Sequence, residues 1–260
     1  MTTIPVVVPP LVTESRFARR LPRQAAFDWL RAGWRDLRTV PGPSLIYGVA
    51  IYLVSVAVVV GLFALGWDYI LFPALAGFMV VGPILATGLY EKSRRLAAGE
   101  PVSLSRMLRV EASSGGQILF IGVILCLLML LWMRAAVIIY ALFFGLRPFP
   151  GLDHVAAMLF TTFTGWSMLI VGGLIGGLFA AFSFAISVFS VPMLLNERLD
   201  AFTAMGTSIA MVWNNLPVML TWGVITLVLF GASLVVGLLG LILVFPLLGH
   251  ATWHAYKAVR

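Results

Sequence analysis

One charge stands where charge is costly. Arg134 interrupts the apolar run "LMLLWMRAAVIIYAL" at residues 128–142, and an ionisable side chain at membrane depth is a functional hypothesis by default. Its depth decides what it can do. The apolar run opens near Gln117, so Arg134 lies about 17 residues in, roughly 26 Å along a helix at 1.5 Å per residue. That is near the far edge of the hydrocarbon, where a long arginine side chain snorkels to water. Facing Asp68 or Asp153, which fall on the same outer side, Arg134 marks the boundary. Set in an outward cavity beside Arg147, it would contact an anion or another small solute.

A second pattern is "HATWH", where His250 and His254 stand four apart and share one helix face, as two metal ligands must. Neighbouring sequence supplies no third ligand, and the glutamate of a HExxH motif is missing. The pair is therefore expected to hold no metal or haem, but to sit at the interface beside Trp253 and Tyr256. A third pattern is a run of small residues, Gly173, Gly176, Ala180, Ser183, Ser187 and Ser190, at offsets 0, 3, 7, 10, 14 and 17. Such a seam lets two helices approach closely in lipid. GxxxxGK[ST], GxSxG and CxxC are all absent, so the expectation is no catalytic residue, no cofactor and no enzyme.

The elements that position these residues follow from composition. The 260 residues are 61% hydrophobic and only 10% charged, against roughly a quarter charged in soluble domains; the bilayer is the natural solvent. A helix needs about 20 apolar residues to cross, which predicts spans near 44–66, 69–90, 117–138, 165–190, 215–232 and 233–249. The last two share one continuous apolar run, with a tight turn expected at Phe230–Ser233. Residues 1–21 read as a flexible tail preceding a single membrane domain at 22–260, and Cys126 as a small buried hydrophobe.

Seven basic residues precede the first span and five lie between the second and third; with Arg198, Lys257 and Arg260 they place fifteen of the 17 on one side. The positive-inside rule makes that side cytoplasmic, with both termini. Three segments outside the spans have helical periodicity, near 23–39, 103–112 and 200–213. In the first, Phe27, Leu30, Trp34 and Leu37 form one face and Arg23, Arg31, Arg35 and Arg38 the other; it reads as an interfacial helix with its basic face toward anionic headgroups. In the third, Phe202, Met205, Ile209 and Val212 repeat the spacing after Asp200 as N-cap. The fold expected is an all-α membrane protein, a six-transmembrane-helix bundle built from three repeats of interfacial amphipathic helix plus helical hairpin. The outer segment at 139–164 breaks that repeat.

The stretches "WLRAGWRDLRTVPGPSLIYGVAIYLV" (29–54), "FPALAGFMVVGPILATGLYEKSRRLAAGEPVSL" (72–104) and "FSVPMLLNERLDAFTAMGTSIAMVWNNLPVML" (189–220) resemble a bacterial family of predicted six-span integral membrane proteins of unknown function. Some members of that family carry the label cytochrome c oxidase subunit I. Three histidines, His154, His250 and His254, cannot supply the six ligands such a subunit uses for its haems and copper.

The sequence thus favours a non-enzymatic inner-membrane component, a scaffold, assembly or accessory protein, with anionic lipid and a membrane complex or a second copy as partners and no nucleic acid. The alternative is a small-solute or lipid transporter with its site at Arg134 and the outer segment.

Overall fold

The computed structural model describes residues 17–145 and 151–260, and among them it is all helix, with no strand. Hydrocarbon offers no partner to backbone N–H and C=O groups, and a helix satisfies them within one segment. Five stretches are long and apolar enough to cross a membrane: Pro41–Ala64, Asp68–Ala97, Gly115–Phe144, Phe163–Asn196 and Leu216–Val235.

In chain order, α1 (Ala25–Arg38) leads into α2 (Pro41–Ala64), which opens on a proline at its first position, where no N–H is needed. A short 3-10 turn, Asp68–Ile70, precedes α3 (Leu71–Leu85) and its near-continuation α4 (Thr87–Ala97). Pro83 inside α3 removes one ladder hydrogen bond, and the helix breaks three residues later at Ala86. After the five-residue α5 (Leu104–Leu108) come α6 (Gly115–Phe144), α7 (Leu152–Thr161), α8 (Phe163–Ser187) and α9 (Ser190–Asn196). Then α10 (Ala201–Asn214) starts on Asp200, whose carboxylate accepts from Thr203 N–H at 2.9 Å, and runs into α11 (Leu216–Val235) and α12 (Leu241–Val259).

The segments richest in arginine and lysine meet at one end of the bundle. Ser113 and Ser114 N–H donate to the carbonyls of Leu195 and Leu194, and the Gln117 side chain accepts from Ala201 N–H. Glu197 accepts from Arg260 and Tyr256, and Arg19 donates to the carbonyls of Val259 and Arg260. The core thickens here: Leu89, Met107, Phe189, Met193, Leu194, Leu195, Met211 and Tyr256 are almost wholly buried. Along the spans, by contrast, Val54, Leu119, Leu127, Leu174, Leu220 and Val228 face outward, as side chains solvated by lipid do.

Several expectations change. The last turn is not at Phe230–Ser233: α11 runs on to Val235, and the chain reverses through Gly237 and Leu238, both at positive φ. An apolar run carries no marker for the turn except that glycine. Cys126 is exposed on α6 rather than buried, because it falls on that helix's outer face. The helix expected at 103–112 shrinks to α5, and the second span continues through α4 to Ala97, taking Glu91, Lys92 and Ser93 with it.

The face of α1 also differs from the one read by periodicity. Ala26, Trp29, Gly33 and Leu37 are buried while Phe27 and Trp34 stay exposed. The helix is docked on protein: α1 packs along α12, and the Trp29 ring meets Trp222 of α11 edge-on at 6.0 Å. Gly33 permits the contact, because a Cβ there would stand 2.6 Å from the backbone nitrogen of Ala251.

Candidate functional site

The titratable groups of the basic end converge on α12. His250 is completely buried, and both ring nitrogens are engaged: Nε2 lies 2.9 Å from Ser44 Oγ of α2, and Nδ1 lies 2.9 Å from Ser93 Oγ of α4. Lys92, also completely buried, donates from Nζ to Ser44 Oγ at 2.8 Å and to the Val40 carbonyl at 2.9 Å. One turn along α12, His254 Nε2 stands 2.8 Å from Asp36 Oδ2 of α1. α12 thus ties α2 and α4 together through His250, and α1 through His254.

The protons in this hydrogen-bonded chain have a direction. An ammonium can only donate, a hydroxyl has one proton to give, and a neutral imidazole has one donor and one acceptor nitrogen. Lys92 donates to Ser44, Ser44 donates to His250 Nε2, and Nδ1–H donates to Ser93; the tautomer of His250 is assigned from this network. The chain starts on a cation, and one turn along α12 the Asp36 carboxylate accepts from His254. Burial works to raise the Asp36 pKa, but the hydrogen bond from His254 and the nearby Ser93 hydroxyl outweigh it and hold the carboxyl below its ordinary value.

Val40 carries strain for this arrangement. It sits at φ 53°, ψ 68°, a left-handed conformation that costs a β-branched residue roughly 1–2 kcal/mol, and the proline that follows disfavours it further. The turn aims the Val40 carbonyl at Lys92. Beyond the chain, Glu91 is buried and grips Arg94 at 2.8 Å and Arg95 at 2.6 Å, and Arg95 reaches on to Glu100.

The histidines therefore do have a carboxylate near them. Asp36 lies far off in sequence, which is why local reading missed it; among the described residues no group of three or more His, Cys, Asp or Glu side chains could hold a metal ion. Lys92, Ser44, Ser93 and Asp36 were not singled out either. "EKSRR" reads as a solvated charge run, and its one helical signal, Glu91 spaced three and four before Arg94 and Arg95, does not say which side is buried.

The residues that sequence did single out are dispersed. Arg134 is exposed on α6, pairs with no described residue and lines neither of the two main cavities. Asp68 is half-buried in the 3-10 turn, while Arg147 and the side chain of Asp153 lie outside the described residues. Of the basic face, Arg31 pairs with Asp28 at 3.0 Å with both side chains exposed, a contact worth little; Arg23, Arg35 and Arg38 are exposed.

The small-residue run is split. Ser183, Ser187 and Ser190 are buried at the basic end, and a Cβ on Gly176 would meet the Trp132 ring of α6 at 2.8 Å. Gly173 and Ala180 are exposed. Gly176, Ala180, Ser183 and Ser187 line a cavity of about 390 Å³ between α3, α8, α11 and α12. A second cavity, about 590 Å³, lies toward the opposite end between α3, α6, α7 and α8, lined by Tyr69, Phe72, Trp132, Tyr140 and Phe160.

Residues 71–196, from α3 to the end of α9, match the family model DUF2189, described as a predicted integral membrane protein. No curated protein and no solved structure matches the chain.

Proposed function

Taking the chain as an integral membrane protein of the DUF2189 kind, we propose that it is a non-enzymatic component of the bacterial inner membrane, a scaffold, assembly or accessory protein with both termini cytoplasmic. One observation carries the reading: α1 is held on α12 by its Trp29–Gly33–Leu37 face, and so presents Phe27 and Trp34 between Arg23, Arg31 and Arg38 as a fixed outward surface. Aromatic rings flanked by arginine suit a headgroup layer of anionic lipid, with each arginine worth about 1 kcal/mol near such a surface. The basic end faces the cytoplasm in this reading, following the charge asymmetry, and α12 returns the chain to that end from the turn at Gly237 and Leu238.

The buried chemistry fits the same role. Lys92, His250 and Asp36 are spent on neighbouring side chains rather than turned toward a cavity, which stiffens the base of the bundle. The order of short helix, span and span is met in α1 to α4 and in α5 to α9, where α7 is added, while α10 is followed by one candidate span, α11, and by α12.

Purified in mild detergent, the protein should elute with anionic phospholipid or a partner at fixed stoichiometry, and reversing Arg31 and Arg38 to Glu should release it. A bare monomer that moves a solute across reconstituted vesicles would overturn the proposal. Orientation has its own check in a Cys126→Ser background: Leu239→Cys should react with an impermeant thiol reagent on intact spheroplasts, and Arg260→Cys only after permeabilisation.

A further inference from the structure

Among the described residues, one buried side-chain polar atom is left without a hydrogen-bond partner, Ser183 Oγ, and it lines the cavity between α3, α8, α11 and α12. Ser55, Ser187, Ser190, Thr226, Ser233 and Thr252 each donate to the carbonyl four residues back, the usual way a hydroxyl is satisfied inside an apolar helix. Ser183 Oγ has no partner although the residue is only 2% exposed, and it lines the cavity. A buried hydroxyl without a partner is unfavourable, so the arrangement favours whatever brings an oxygen to it.

The walls restrict what that can be. Gly176, Gly177 and Ala180 leave room where side chains would fill it, and Phe78, Trp222 and Phe230 supply the apolar surround. No charged side chain among the described residues lines the space, and a charge in such apolar surroundings would be costly. Its volume, about 390 Å³, falls within the roughly 300–1,000 Å³ of small-molecule sites. Gly177, Ala180 and Leu227 line it and are also exposed, while α8 and α11 barely pack on each other. The opening therefore faces sideways, toward the hydrocarbon. Ser183 lies one turn before the end of α8 at Ser187, within the apolar stretch Phe163–Asn196.

We propose that this groove binds a neutral lipophilic molecule with a long alkyl body and a single alcohol or carbonyl oxygen, which enters from the bilayer and takes its one hydrogen bond from Ser183. An acyl chain of a membrane lipid and a free fatty alcohol share this shape, but the charged headgroup of the first finds no partner among the described lining residues, so the single-chain alcohol is the occupant.

The test uses the whole protein, delipidated in detergent, with radiolabelled hexadecanol, its oxygen-free counterpart hexadecane, and a diacyl phospholipid. Wild type should bind hexadecanol more tightly than either of the others. Ser183→Ala should lose about fivefold to tenfold in hexadecanol affinity, the worth of one hydrogen bond, with hexadecane unchanged; Ser183→Thr, which keeps the hydroxyl, should retain it. Ala180→Phe, filling the groove from its open side, should weaken both single-chain probes. Equal affinity of wild type and Ser183→Ala for hexadecanol, no preference over hexadecane, tighter phospholipid binding, or a groove closed by a second copy in solution would each overturn the proposal. The elution profile of every variant reports whether it folds.

Discussion

Asp36 Oδ2 and His254 Nε2 stand 2.8 Å apart across 218 residues of sequence. This contact fixes the angle at which α1 lies on α12. The Asp36 carboxyl is held below its ordinary value, so the stabilisation it gives is complete above the unfolded carboxylate range and is lost as pH falls through the folded value. Asp36→Asn should lower stability by about 1–3 kcal/mol at neutral pH and flatten the acid limb of a thermal-unfolding series in detergent. An unaltered acid limb would show that the pair carries no linkage.

Lys92 and Val40 form a linked pair of costs. Removing the ammonium in Lys92→Ala strands the Val40 carbonyl and Ser44 and opens a cavity, for a loss of about 3 kcal/mol. Val40→Gly should go the other way: relief of roughly 1–2 kcal/mol of left-handed strain exceeds the roughly 0.5–1 kcal/mol that glycine loses in chain entropy. Melting temperatures of the two variants should therefore move in opposite directions.

Gly33 tests the docking of α1 directly. A Cβ at this position would overlap the Ala251 backbone, so Gly33→Leu should lift α1 from α12 and expose Trp29. Limited proteolysis between residues 38 and 41 should become rapid, whereas Ala32→Leu, on the same helix, should leave it slow.

Glu197 closes the end of the chain. Its hydrogen bond from Arg260, the largest effect, and that from Tyr256 hold the carboxylate below its ordinary value against the opposing pull of burial. Stability from this clasp is present above the unfolded carboxylate pKa and disappears as pH falls through the folded one. Glu197→Gln should loosen residues 256–260, read as faster amide exchange there, with a global cost below about 1 kcal/mol because both side chains are partly solvated.

Five of the six expected spans, and the gathering of basic segments at one end, were legible because hydropathy and charge asymmetry are properties of single stretches; the span expected at 233–249 is not among the five, its helix α12 turning polar from His250 onward. The polar chain was not, because its members sit at 36, 40, 44, 92–93 and 250–254, and only tertiary packing brings them together. Periodicity found that α1 is amphipathic but chose Phe27 and Trp34 over Trp29 and Gly33: bulk drew the stripe toward the largest rings, while close contact needed the smallest residue. Arg134 stood out because its neighbours are apolar, a statement about surroundings in sequence; Lys92 is the more deeply enclosed cation and was hidden by "RR" two residues on. The idle hydroxyl of Ser183 could not be read at all, since Ser187 and Ser190, its two serine companions in the small-residue run, look the same on paper.

The enclosure of Lys92 has a consequence for biogenesis. Its partners Val40 and Ser44 precede it in the chain, whereas His250, which completes the network around Ser44, lies on α12. Synthesis runs N-terminal first, so Ser44 is short of its histidine, and Asp36 short of His254, until α12 arrives. Translation of "HATWH" is therefore the step at which the four helices can close on one another.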